Sequence, residues 1–147
     1  MSTTVERSLG PPAADELRAL YGTYEWWADR DERKVRRALA ATDEVVALRD
    51  GESGDLVAAA RVLTDYTYYA MVFDVIVHED DRGDGLGERL MAAVVTHPPL
   101  ADLHLTLLAR EGLVPFYESC GFEPQGGIDH PGGDPEKLRF LAYRRDG

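Results

Sequence analysis

The 147 residues, 44% apolar and 29% charged, have the proportions of one folded domain spanning 1–147 and exclude wholesale disorder or a disulfide scaffold. A formal charge of -11 disfavours nucleic acid and anionic membranes as partners, and favours cationic small molecules or basic peptide segments. The lone cysteine, Cys120, suits a reducing compartment; no apolar run approaches a membrane span and "MSTTVERSLGPP" lacks the blocks of a signal peptide, so a cytoplasmic location is expected.

In chain order, Pro11 and Pro12 suit a first helical turn, and Leu17, Leu20, Tyr21 and Tyr24 follow at helical spacing in "PPAADELRALYGTYEWW". "DRDERKVRRALAA" predicts a second helix with Val35, Leu39 and Ala38 inside. The period then changes. "EVVALRDGESGDLVAAARVLTD" reads as a hairpin turning around Asp50 to Asp55, and a longer strand is expected over Tyr68 to His78, rich enough in valine, isoleucine and aromatics to be buried on both faces.

Next comes "RGDGLG", Arg82 to Gly87, and then a helix whose inner stripe is Leu86, Leu90, Ala93 and Val94, ended by His97-Pro98-Pro99. "DLHLTLLA" alternates Leu103, Leu105 and Leu107 against His104, Thr106 and Leu108, as a strand does. A short helix over Val114 to Cys120 stops at Gly121, "KLRFLAYR" supplies a last strand, and "QGGIDHPGGDPE" between them reads as a loop.

A glycine-rich turn between a strand and a helix aims several backbone N–H groups at one small volume, with the positive end of the helix dipole behind them. Such a nest binds phosphate. Gly83, Gly85 and Gly87 permit close approach, Arg82 adds charge-assisted hydrogen bonding, and Asp84 would repel phosphate unless it points to solvent. A tight turn without a ligand is the alternative. There is no GxxxxGK[ST], and the RxxGxG spacing in mid-chain fits a dinucleotide fingerprint poorly.

Two stretches together resemble the GCN5-related N-acetyltransferase (GNAT) superfamily. "DVIVHEDDRGDGLGERLM", Asp74 to Met91, looks like its pyrophosphate motif [RQ]xxGx[GA], filled by Arg82, Gly85 and Gly87; "FYESCGF", Phe116 to Phe122, looks like its FYxxxGF hallmark. The first 50 residues or so match only in element order. The resemblance implies an α/β acyl-CoA N-acyltransferase fold: a central mixed, mostly antiparallel sheet flanked by helices, with parallel strands splayed at the cofactor site. It implies acetyl-CoA as acyl donor. By position, the backbone of Val75, Ile76 and Val77 would pair with the pantetheine arm, and the loop from Arg82 through Gly83, Asp84, Gly85, Leu86 and Gly87 to Glu88 would hold the pyrophosphate. Phe116 and Tyr117 would border the same cofactor, with the splay between the Val72 to Val77 and Leu103 to Leu108 strands.

Tyr117 matches the family's tyrosine, and a phenol near the sulfur suits protonation of a departing thiolate; the competing reading is packing beside Phe116 and Phe122. For the general base, Asp74 is the nearest carboxylate, or else a buried polar anchor, with Glu79, Glu111, His78 and water as alternatives. Cys120 reads as a small core side chain. Tyr24, Trp26 and Trp27, with the carboxylates of "YGTYEWWADRDE", are candidates to hold an acceptor amine by cation–π contact, or else core; Tyr69, with Tyr66 and Tyr68, is a second aromatic group. No metal site is expected, since His78, His97, His104 and His130 lack ligand spacing. The expected activity is transfer of acetyl to a primary amine, foremost a small cationic one, by direct attack in a ternary complex. Protein or peptide acetylation, and a non-catalytic acyl-CoA-binding or regulatory module, are the alternatives, and a homodimer is left open.

Overall fold

The computed structural model describes residues 2–128 and 138–145. Thr3–Glu6 forms β1, Ala14–Tyr21 α1, Glu32–Ala41 α2, Glu44–Asp50 β2, Leu56–Thr64 β3 and Tyr69–Val77 β4. Leu86–Val95 forms α3, His104–Arg110 β5, Val114–Ser119 α4, Phe122–Ile128 β6 and Leu138–Tyr143 β7. The strands make one sheet in the order β1-β2-β3-β4-β5-β7-β6, antiparallel throughout except for the β4–β5 pair.

Each face of the sheet is covered because the helices carry the apolar stripes expected of them. On one side, Leu86, Leu90, Met91 and Val94 of α3 pack on Val46, Val62, Val72, Leu105 and Leu107. On the other, Leu17, Leu20 and Tyr21 of α1 and Val35 and Leu39 of α2 pack on Val45, Ala47 and Ile76. The third predicted strand, β4, therefore contributes to both cores. Asp31 caps α2 by accepting a hydrogen bond from the Lys34 amide at 2.8 Å.

Three local expectations need correction. The first helical pattern breaks into a short 3-10 turn at Pro11–Ala13, then α1, then a second 3-10 turn at Glu25–Trp27, because Gly22 ends the helix; Tyr24 lies outside it yet stays buried. "QGGIDHPGGDPE" is in part a strand: Gln125 to Ile128 belong to β6, and 129–137 fall outside the described residues. Pro124, Gly126 and Gly127 obscured it, but β6 is an edge strand with a register shift at Pro124, where a missing N–H is tolerated. Thr106, assigned to the polar face of its strand, is 8% exposed between β4 and β7, and its hydroxyl donates to the Ala70 carbonyl at 3.4 Å.

The parallel pair opens at its C-terminal end. Tyr69 to Val72 register with His104 to Leu107, and pairing stops there. Beyond that point β4 contains an extra residue: Phe73 faces Arg61 and Ile76 faces Ala59, so Asp74 and Val75 together stand opposite Ala60. Asp74 takes a left-handed φ of 53°, uncommon for a residue with a β-carbon. The splay thus falls where the family resemblance implied. Among the described residues no helix is long and apolar enough to cross a membrane.

Candidate functional site

The last residues of β4 lead into the glycine loop through a 3-10 turn, Glu79–Asp81, whose Asp80 amide donates to His78 Nδ1 at 3.1 Å. Gly83 and Gly85 then take φ values of 87° and 77°, and Gly85 is the N-cap of α3. Both lie in open space, so what requires glycine here is the backbone turn and access rather than a neighbour. Gly87 is different. A β-carbon there would stand 2.9 Å from Phe116 Cζ and 3.1 Å from its Cε1, so the two sequence motifs meet through this glycine.

Around this junction lies a cleft of about 310 Å³. Its floor comes from Val75 and Val77, and its loop side from Asp81, Arg82, Gly83, Gly85, Leu86, Gly87 and Glu88. Phe116 and Tyr117 close it from α4, Leu113 from the 3-10 turn just before that helix, and Tyr24 from the segment between α1 and α2. The leading N–H groups of a helix have no intrahelical partner, so the first turn of α3 presents donors and a positive dipole end to this space. Asp84 is exposed and does not line the cleft, which removes the expected repulsion. Ile76 is 4% exposed in the opposite core, so only its backbone is free to serve the site.

A family model for the acetyltransferase (GNAT) domain matches residues 40–124, which is more than half of the chain. The chain belongs to the GNAT family. Over 125 residues this GNAT protein is 35% identical to serotonin N-acetyltransferase 2, chloroplastic, of Oryza sativa subsp. japonica, covering 79% of this chain and 55% of that one. Over 105 residues it is 31% identical to the uncharacterized N-acetyltransferase ycf52 of Porphyra purpurea, covering 68% and 60% respectively. The chain therefore spans less than two thirds of the length of these relatives. A crystal structure of aminoglycoside 6'-N-acetyltransferase complexed with coenzyme A superposes with a TM-score of 0.76 at 15% identity, covering 99% of this chain and 100% of that one, a likeness of fold.

Within this GNAT fold, Tyr117 is 6% exposed on the cleft wall, edge-on to Phe116 at 4.9 Å and to Phe122 at 6.1 Å. The ring of Tyr117 is thus packed as one reading expects, and the residue also borders the cleft. Burial, with a lesser contribution from Cys120, pushes its pKa up to about 12, so the phenol stays protonated at neutral pH. Gly121 ends α4 with φ 94°, and a β-carbon there would stand 2.8 Å from Tyr143 Cε1; this is what the glycine of FYxxxGF does. Cys120, half-buried beside it, has its thiol pushed up by burial and is no ready nucleophile.

Asp74 does not have the setting of a base. Its Oδ2 accepts from Arg30 at 2.9 Å and from two nitrogens of Arg61 at 2.8 and 3.0 Å, and its Oδ1 accepts from Arg30 at 3.2 Å. Burial alone would raise its pKa, but the hydrogen bonds from both guanidiniums outweigh that and hold the carboxyl below its ordinary value. A carboxylate so engaged is a weak proton acceptor; the alternative reading, a buried polar anchor, fits.

The aromatic group is similarly reassigned. The cation over Tyr21 and Trp27 is the chain's own Arg30, at 4.6 and 5.1 Å from the ring centroids, and Trp27 packs against the α1 core. Tyr24 donates its hydroxyl to the Val77 carbonyl at 2.6 Å and borders the cleft, while Trp26, 61% exposed, leans on Tyr24. Tyr69 is at the far end of β4, eight residues or roughly 25 Å of strand from Val77. It is exposed and edge-on to His104 at 6.0 Å, so Tyr69 and the cleft are not brought together. Sequence reasoning missed Arg30, Arg61 and Leu113. A charged residue inside the apolar run "LVAAARVL" was the available signal for Arg61.

Proposed function

We propose that this GNAT protein transfers an acetyl group from acetyl-CoA to a primary amine by direct attack in a ternary complex. The observation that carries the reading is the junction of the glycine loop, the splay beyond Val72 and Tyr117 around one cleft. The α3 N-terminus and Arg82 would hold the pyrophosphate, and the backbone of Val75 to Val77 the pantetheine arm. The thioester of the bound donor supplies the acyl group. As the new C–N bond forms and the C–S bond breaks, Tyr117 would give its proton to the departing thiolate and recover one from solvent.

The cleft residues include the carboxylates Asp81 and Glu88 and, among the described residues, no histidine. We therefore assign removal of the ammonium proton to water in exchange with solvent, which makes turnover rise under mildly alkaline conditions. The acceptor would be a small cationic amine with an aromatic or aliphatic body. Support comes from the net charge of -11, from Tyr24 at the edge of the cleft with the exposed Trp26 stacked on it, and from the name of the rice relative, a serotonin N-acetyltransferase. A reducing compartment, as in the cytoplasm, suits the free Cys120.

A thiol-release assay with acetyl-CoA against amines graded by charge, aromaticity and size, short peptides included, tests the reading. Preference for cationic small amines is the expected outcome. A peptide preference replaces the small-molecule acceptor with a protein, preference for a neutral or acidic acceptor overturns the acceptor class, and CoA binding without any turnover favours the non-catalytic module.

A further inference from the structure

The ion cluster at Asp74 occupies a place in the fold that packing alone does not explain. Asp74 is the residue with left-handed φ in the β4 bulge, two residues beyond Val72, the last of β4 to pair with β5. Aspartate tolerates that conformation better than most residues, but it has no intrinsic preference strong enough to hold it inside a strand. Here the side chain is held from two directions. Arg61 comes from the neighbouring strand β3, and its remaining nitrogen donates to Thr42 Oγ1 at 2.9 Å, anchoring it at the end of α2. Arg30 comes from the segment between α1 and α2, and its guanidinium lies over the rings of Tyr21 and Trp27.

That same segment also carries Tyr24, whose hydroxyl is bound to the Val77 carbonyl. Its aromatic wall is therefore fastened to β4 twice, by Arg30 at position 74 and by Tyr24 at position 77. These two points bracket Val75, which lines the cleft, and Ile76 beside it. The side chains of Arg30, Asp74 and Arg61 are 34%, 15% and 18% exposed, so the pairs are largely shielded from solvent and salt.

Resting on the acetyl-transfer reading above, we infer that Arg30, Asp74 and Arg61 form a positioning clamp: it holds the β4 bulge open for the thioester and fixes the Tyr24–Trp27 segment, which would receive the acceptor, at a set distance from it. The donor's pyrophosphate end lies beyond the clamp, at the glycine loop, and does not depend on it. Loosening the clamp should therefore cost turnover rather than CoA affinity. Misplacing reacting groups by about 1 Å is worth on the order of 100-fold in rate.

Arg30→Gln is the informative variant, because Arg61 still neutralises Asp74 and the fold is spared an unpaired buried carboxylate; Arg30→Lys keeps the charge but not the two-pronged contact. Purified protein is measured for CoA affinity by calorimetry, for steady-state acetyl transfer to 2-phenylethylamine, and for amide hydrogen exchange over Phe73 to Val77. The expected result for Arg30→Gln is a kcat lower by about 10- to 100-fold with CoA affinity within about twofold, and amide exchange in the bulge faster by about tenfold. Arg30→Lys should recover part of the kcat. Unchanged kcat, or CoA affinity falling in parallel with kcat, overturns the clamp. If the unaltered protein acetylates no amine, the functional reading fails on its own, and the exchange measurement still decides: unchanged protection of Phe73 to Val77 in Arg30→Gln sinks the clamp, and faster exchange there upholds its hold on the bulge.

Discussion

Gly85 and Gly87 are two residues apart in one loop motif, yet substituting alanine at each should have opposite signatures. At Gly87, inside the first turn of α3, alanine gains about 1 kcal/mol of helix propensity. Its methyl would meet Phe116 Cζ at 2.9 Å, so the ring must yield by roughly 0.6 Å to regain an optimal carbon–carbon separation of about 3.5 Å. The ring is half-buried at the cleft wall and has room to give, which limits the cost to about 1 kcal/mol, the low end of overpacking. The two effects offset each other, and the melting temperature should stay within about 3 °C of the starting protein. The cleft pays instead: both the new methyl and the displaced ring would stand in the space proposed to hold the donor, and CoA affinity should fall on the order of tenfold, about 1.4 kcal/mol. At Gly85 no atom stands within 4 Å of the added carbon, but φ of 77° costs an L-residue about 1–2 kcal/mol, so the melting temperature should drop by roughly 3–6 °C with a smaller loss of affinity. Thermal denaturation and CoA calorimetry on both variants make the comparison. A Gly87→Ala protein that melts early but binds CoA normally would refute the reasoning.

Tyr117→Phe preserves the ring packing and removes one hydroxyl, so kcat should fall by about 10- to 1,000-fold with little change in CoA affinity; equal turnover across pH 7 to 9 in the thiol-release assay would reduce Tyr117 to packing. Tyr21 and Tyr117 both have folded-state pKa values pushed up to about 12, Tyr21 by burial first and the charge of Asp74 second. Above pH 10 the unfolded phenols lose protons that the folded ones keep, so stability should decline as pH rises from 10 to 12, by up to about 1.4 kcal/mol per pH unit and group. Alkaline denaturation of Tyr117→Phe should show a shallower decline, and an unchanged slope would contradict the shift.

The motifs were legible because each rests on residues with few substitutes: glycine where φ is positive or where a ring is too close, proline where a helix starts. At Gly87, which lines the cleft, the sequence suggests room for a ligand but not the close approach of Phe116; a contact across 29 positions leaves no local sign. Asp74 was visible as an acid within a strand, but its role is set by Arg30 and Arg61, which lie 44 and 13 positions away. The aromatics of "YGTYEWW" suggest a site for an acceptor amine in the sequence, whereas the cation that the structure sets over Tyr21 and Trp27 is Arg30, three residues after Trp27. β1 leaves no sequence signal because "TTVE" is four residues long and mostly polar, and becomes a strand through its ladder with β2. β6 escaped because edge strands accept residues that signal loops elsewhere.

The bulge in β4 has a consequence for redesign. Ala70 and Val72 face the α3 side before it, and Val75 and Val77 face the same side after it, so alternation along the strand fails at one step only. Deleting Asp74 would leave every flanking side chain on the face it now occupies and restore an unbroken two-residue rhythm. The shortened strand would have no reason to leave β5 after Val72, and its ladder would be free to run on. A continuous sheet is thus one codon away, and the opening between β4 and β5 can be seen as resting on a one-residue insertion that would keep two adjacent strands from closing on each other.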